Sequence, residues 1–182
     1  ATPRTRRRYG DAWVFMDRIH DADDSGEHLF HHVRTHHPEI NAWFVVEKDT
    51  ADWRRLKRAG IKRLVAHGSP EWKLLMVNAA HLISSHADQP IVRPPALEFP
   101  GGRNWRFTFL QHGVIKDDLS SWLNQKKIDV FVTSTRPEYD SIVGDNTRYV
   151  VTAKETVLTG LPRLDRSGRR AWPFRPSSAT WS

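Results

Sequence analysis

Short apolar runs alternate with amphipathic stretches along most of the chain. The runs at 12–16, 42–46, 63–66, 82–84, 107–110, 128–132 and 156–158 read as strands. Between them, polar and apolar positions recur at helical spacing. Residues 24–35 carry Leu29, Phe30 and Val33 on one face, with Ser25 as the candidate N-cap. Thr50 is placed to cap a charged helix bearing Trp53 and Leu56 that stops at Gly60. Ser69-Pro70-Glu71 opens another helix, with Trp72, Leu75 and Met76 along one face and proline at its first position. Strands that are apolar throughout, separated by amphipathic helices, predict an α/β fold: a Rossmann-like parallel sheet with helices on both faces. The pattern contains no internal repeat.

At 182 residues and 38% hydrophobic content, with eight Trp and eight Phe, the chain fits one domain around one core. The expected division is a basic N-terminal tail over 1–9, the Rossmann-like domain over 10–166, and an irregular or disordered tail over 167–182. The segment 90–102, with its prolines and glycines, reads as a long loop. A formal charge of +7 points to anionic company, and Arg4 to Arg8 concentrates part of it. That start has three readings: a solvated tail, an attraction to anionic lipid headgroups, or nucleic-acid binding without sequence preference. Dispersed Lys and Arg with no recognition motif argue against specific nucleic-acid binding. Cysteine is absent, which excludes disulfides and Cys-based metal sites. No apolar run is long enough to span a membrane, and no signal-peptide pattern opens the chain.

The chemistry concentrates at strand ends. In open α/β sheets, ligands bind in the crevice beyond the strands' carboxyl ends. The apolar run at 107–110 empties into Gln111-His112-Gly113, and Lys116-Asp117-Asp118 beyond it reads as a helix start whose free N–H groups could meet a phosphate. The bland alternative for that segment is a solvated first turn. His112 is suited to moving a proton near neutral pH; otherwise it caps a turn. Gly113 permits close approach by a ligand or an unusual φ. Asp17-Arg18 and Ser84-Ser85-His86 close two other strands and either line the same crevice or form turns. Thr159-Gly160 and Pro162-Arg163 close the last, where Gly160 and Pro162 shape a crossover and Arg163 is a candidate phosphate ligand. His32 and His36 share zinc-helix spacing, but the HExxH glutamate is missing and Pro38 follows, so they read as a polar outer face. No metal site is expected. His67-Gly68 reads as turn chemistry, and Trp53, Trp72 and Trp122 as core.

Six segments in order resemble the CDP-glycerol glycerophosphotransferase family, whose members build poly(glycerol phosphate) teichoic acids. They begin at Asn41-Ala42-Trp43-Phe44, Val65-Ala66-His67-Gly68-Ser69, His81-Leu82-Ile83-Ser84-Ser85-His86, Leu110-Gln111-His112-Gly113-Val114, Phe131-Val132-Thr133-Ser134-Thr135 and Leu158-Thr159-Gly160-Leu161-Pro162-Arg163. The resemblance covers roughly 10–166 and implies the N-terminal, acceptor-side half of a two-domain GT-B fold. It implies transfer of glycerol phosphate from CDP-glycerol to an acceptor hydroxyl with release of CMP. His112 would be the general base, with Gly113, Lys116, Ser85, His86 and Arg163 near the substrate. It implies no organic cofactor. The implied partners are CDP-glycerol, a lipid-linked polyol-phosphate acceptor and an anionic membrane surface, at the cytoplasmic face of the cell membrane. The family's donor-nucleotide pocket lies beyond the matching segments, so a truncated form with weak or no independent turnover is expected. The competing reading is a non-catalytic basic domain that binds an anionic membrane or polymer.

Overall fold

In the computed structural model of the protein, which describes residues 3–97 and 103–167, seven parallel strands make one sheet. They are β1 (Ala12–Met16), β2 (Ala42–Val46), β3 (Leu64–Ala66), β4 (Ala79–Ser84), β5 (Arg106–Phe109), β6 (Val130–Thr133) and β7 (Thr156–Leu158). Their order is β3-β2-β1-β4-β5-β6-β7. Strand order reverses between β1 and β4, so the crevice expected of a doubly wound sheet opens beyond the carboxyl ends of these two strands.

The alternation of side chains along each strand divides the core between the two faces. Val14, Met16, Trp43, Val45, Leu82, Phe107 and Phe131 share one cluster, which includes Trp72, Leu75 and Met76. Phe15, Phe44, Val46, Ile83 and Val132 share the other, with Phe30, Val33 and Leu56. Successive strand residues point to opposite faces, so a strand covered on both sides must be apolar at every position. β2 is buried along its whole length. The first face receives α1 (Pro3–Tyr9), α4 (Pro70–Asn78) and α7 (Arg136–Val143); the second receives α2 (Ser25–His36) and α3 (Ala51–Arg58).

The helix starts follow sequence chemistry. Thr50 Oγ1 accepts from the Trp53 amide, Ser69 Oγ from the Trp72 amide and Thr135 Oγ1 from the Glu138 amide. At α2 the expected cap is displaced by one residue: Asp24, not Ser25, is the N-cap, and Ser25 is fully buried. The basic start, expected as a tail, forms α1 instead. Tyr9 is buried against Trp43, and its hydroxyl and Arg8 both reach Glu71 on α4. Trp72 lies in the core, whereas Trp122 is exposed with the Lys126 ammonium over its ring at 3.8 Å. Part of the expected 90–102 loop is α5 (Gln89–Val92), and 98–102 lie outside the described residues, as does the expected tail from 168 onward.

Candidate active site

The carboxyl end of β1 delivers Asp17, whose carboxylate is almost completely enclosed. Its Oδ1 accepts from the Gly26 amide at 2.7 Å and from Ser85 Oγ at 2.7 Å. Its Oδ2 accepts from the amides of Asp24 at 3.1 Å and Glu27 at 3.2 Å. The first turn of α2 leaves these N–H groups without helical partners, and a carboxylate there satisfies them. Burial pushes the Asp17 carboxyl above its ordinary pKa, against the opposing pull of Ser85 and the three amides. The close fit requires Gly26, because a Cβ there would overlap the Met16 carbonyl oxygen and sit 2.6 Å from Asp17 Oδ1.

The carboxyl end of β4 supplies the next links. Ser84 Oγ donates to the Asp17 carbonyl and accepts from the His86 amide. Ser85 Oγ lies 2.9 Å from His86 Nδ1, and Arg18 Nε lies 2.8 Å from His86 Nε2. Arginine has only donors, so Nε2 of His86 must present a lone pair. Ser85 donates to Asp17 and therefore accepts from a protonated His86 Nδ1. The chain Arg18 to His86 to Ser85 to Asp17 then runs in one direction and fixes one neutral tautomer. Burial, the neighbouring His112 and Arg18 together depress the His86 pKa to about 4.

β5 runs out into Leu110 and Gln111, and the chain then presents His112. Gln111 adopts a left-handed φ of 63° although it is not glycine, a conformation that costs about 1 kcal/mol or more. Its enclosed side chain is anchored by an Nε2 bond to the Val132 carbonyl. This bend sets His112 in the open at the rim, its ring stacked on His86 with centroids 4.4 Å apart and planes 8° apart. The unusual φ expected of Gly113 therefore belongs to Gln111. Gly113 has no left-handed φ, and the space a Cβ would enter there is open.

The expected helix start at Lys116 is absent. Residues 112–119 are irregular, and α6 (Ser120–Leu123) begins later and spans a single turn. No phosphate-binding helix end exists at Lys116. Instead, the buried Glu138 anchors the loop, taking the Ile115 amide at 2.9 Å while also holding the Ser134 amide and hydroxyl. Lys116 itself is exposed. Arg163 stands on the 3₁₀ segment Pro162–Ser167, 3.6 Å from the N-cap carboxylate Asp24.

Asp17, Arg18, Ser85, His86 and His112 are thus gathered through direct contacts. Arg163 joins the rim of α2 through Asp24, and Lys116 stays out on the loop. Ser85 is enclosed with its hydroxyl engaged at both ends, which suits it to holding His86. Sequence reasoning missed Gln111, Gly26 and Glu138. A polar residue inserted between an apolar strand and the exposed histidine was the available signal for Gln111. Among the described residues no group of three or more His, Asp or Glu side chains is arranged to hold a metal ion. The His32 and His36 ring centroids lie 4.6 Å apart with the planes tilted by 39°, and both residues are exposed.

A doubly wound parallel sheet with its polar groups gathered at the switch point defines a Rossmann-like α/β domain of the GT-B type. The wall teichoic acid polymerase TagF shares this fold, with a TM-score of 0.60 at 13% identity over 88% of this chain and 41% of that one. A TagF variant soaked with CDPG gives a TM-score of 0.56 at 13% identity, over 88% and 42% of the two chains. The chain belongs to the CDP-glycerol:poly(glycerophosphate) glycerophosphotransferase family, whose sequence profile matches residues 4–171. It is 38% identical over 159 residues to the minor teichoic acid biosynthesis protein GgaB of Bacillus subtilis (strain 168), covering 84% of this chain. The chain spans 17% of the length of that relative.

Proposed function

We propose that this domain is the acceptor-side half of a teichoic acid glycerophosphotransferase, which moves glycerol phosphate from CDP-glycerol to an acceptor hydroxyl and releases CMP. The observation that carries the reading is His112. It is an exposed imidazole at the sheet's carboxyl edge, backed by a buried histidine that is held neutral.

An alcohol attacking phosphorus must lose its proton, and an imidazole at the rim is placed to accept it. With His86 held as the neutral tautomer, His112 takes that proton without a like charge stacked against it. Gly113 leaves room for the substrate, and Lys116 on the loop and Arg163 at the α2 rim are cations suited to phosphate oxygens. Ser85 and His86 act from behind, as the support of His112. The nucleotide would be held mainly by a second domain facing this edge, as in the GT-B arrangement. The acceptor would be a lipid-linked polyol phosphate at the inner face of the cell membrane. Among the described residues no helix is long and apolar enough to cross a membrane.

A second reading has its own observation. At the sheet's amino edge, Arg7, Arg8 and Arg63 line a cavity of about 540 Å³ with Trp43 and Asn41. Such a cationic face suits an anionic membrane or polymer. One experiment separates the two readings. Transfer from CDP-glycerol to a lipid-linked primer is measured for the protein and for His112→Ala, alongside binding to anionic vesicles at rising salt. A loss of about 10²–10⁴-fold in the variant, the range for a general base, with unchanged melting supports the first. Equal activity of the variant removes His112 from the chemistry, and salt-sensitive vesicle binding without any transfer favours the second.

A further inference from the structure

We propose that Arg18 and His86 work as one unit beside His112, with the Arg18 guanidinium as the ligand of a substrate phosphate oxygen and His86 as the positioning residue that aims it. The inference deepens the reading of His112 as the base and rests on it. Arg18 follows β1 and His86 lies just past the end of β4, the neighbouring strands between which the order reverses. Both residues therefore stand over the crevice.

The hydrogen-bond inventory is informative. A guanidinium has five N–H donors in a planar fork suited to phosphate. Arg18 uses one, Nε, on His86 Nε2. Arg18 is exposed, and among the described residues neither a hydrogen bond from its η nitrogens nor a carboxylate partner is found. The two acids at this end of β1 and α2 are committed elsewhere: Asp17 to Ser85 and three amides, Asp24 to the Ser25 amide and Arg163. A cation with its fork free at a switch point is a ready partner for an anionic oxygen.

An imidazole that accepts from an arginine is an uncommon choice for a mere brace. It works only while Nε2 is unprotonated, and the Ser85–Asp17 end of the chain enforces that state by holding the proton on Nδ1. The titratable and charged groups facing His86 are Arg18, His112, Asp24 and Asp88; His112 and Arg18 oppose its protonation, in step with its burial. The same arrangement that aims Arg18 thus keeps the ring behind His112 uncharged.

The test combines variants with a readout that a purely structural role would not move. In the protein, Arg18→Gln is expected to lower kcat/KM for CDP-glycerol-dependent transfer by about 10²-fold or more, the scale seen when one preorganised donor is lost, with melting unchanged. Arg18→Lys, which keeps the charge but loses the fork, falls nearly as far. His86→Ala falls through kcat, and His86→Gln, whose amide oxygen can accept from Arg18 Nε, recovers part of the loss. Long-range ¹H–¹⁵N NMR of the histidine rings is expected to show His86 protonated at Nδ1 and bare at Nε2 near pH 7, and to shift when CDP-glycerol is added. An Arg18→Gln protein within twofold of the parent, or a His86 protonated at Nε2, overturns the proposal. If Arg18→Gln is impaired while His112→Ala is fully active, the base assignment falls and this one stands. If His112→Ala is dead and Arg18→Gln is not, the reverse holds.

Discussion

The two walls of the crevice are built on opposite principles. The β1–β4 wall is closed: Asp17, Ser84, Ser85 and His86 are all buried, and their polar atoms bond to one another, to the start of α2 or to Arg18. The β5 wall is open. It exposes His112, continues through the irregular 112–119 segment, and is tied back mainly by Gln111 below and Glu138 beyond. The difference teaches where precision comes from. A buried polar network is costly unless every member is satisfied, and when it is satisfied it permits one arrangement only. The closed wall therefore sets the ring plane against which the open wall lays its histidine, and the open wall remains free to meet a substrate.

The sharpest way to break this contrast is to remove the centre of the closed wall. Asp17→Ala leaves the amides of Asp24, Gly26 and Glu27 and the Ser85 hydroxyl without their acceptor, in a region with little water. Losing a buried carboxylate that accepts several bonds is expected to cost about 3–5 kcal/mol. Urea unfolding should show it as a lower midpoint, and His112 should lose its stacking partner. A loss under about 1 kcal/mol would mean that the wall does not depend on this residue.

The legibility of the molecule from sequence follows the same divide. Strands 12–16 and 42–46 were readable to the residue, because strands covered on both faces must be apolar at nearly every position; the run 156–158 was also read to the residue, although only Thr156 of it is buried. The caps Thr50 and Ser69 were equally plain, since a local side chain satisfies a local amide. What failed was non-local. Asp24 replaces Ser25 as the cap because Asp17, well upstream, already takes the amide of Gly26 and so fixes where α2 begins. Gln111, rather than Gly113, takes the left-handed turn because its amide finds the Val132 carbonyl on β6. The helix expected at Lys116 is lost to Glu138, which captures the Ile115 amide from another element. The basic start looked like a tail because nothing local predicts that Tyr9 and Arg8 will meet Glu71. His112 itself was legible from its place after an apolar run; its partnership with His86 was not.

Acidification probes the closed wall more gently. In an unfolded chain a histidine titrates near 6.5, whereas in the fold burial, His112 and Arg18 hold His86 at about 4. The folded state thus binds fewer protons in between, and the contribution of His86 to stability is complete above about pH 6.5 and is lost as the pH falls toward 4. The loss should be on the order of 2 kcal/mol. It is read as the difference between the protein and His86→Gln in urea unfolding at pH 7 and pH 4.5, which cancels the other titrating groups. Equal losses in the two proteins would show that His86 is not held neutral by the fold.

The smallest expected effect tests the open wall. Gly113 has an ordinary φ, and a Cβ at this position meets nothing within 4 Å. Gly113→Ala should therefore leave stability within about 0.5 kcal/mol, or raise it slightly by restricting the unfolded chain. If the open space beside His112 is where the substrate lies, the added methyl should still raise KM severalfold with kcat nearly constant, because it obstructs binding without touching the base. Melting and steady-state transfer measured on the same preparation decide the matter. A variant with unchanged KM would move the substrate away from Gly113, and one with lowered stability would show that the open wall is more tightly packed than its geometry indicates.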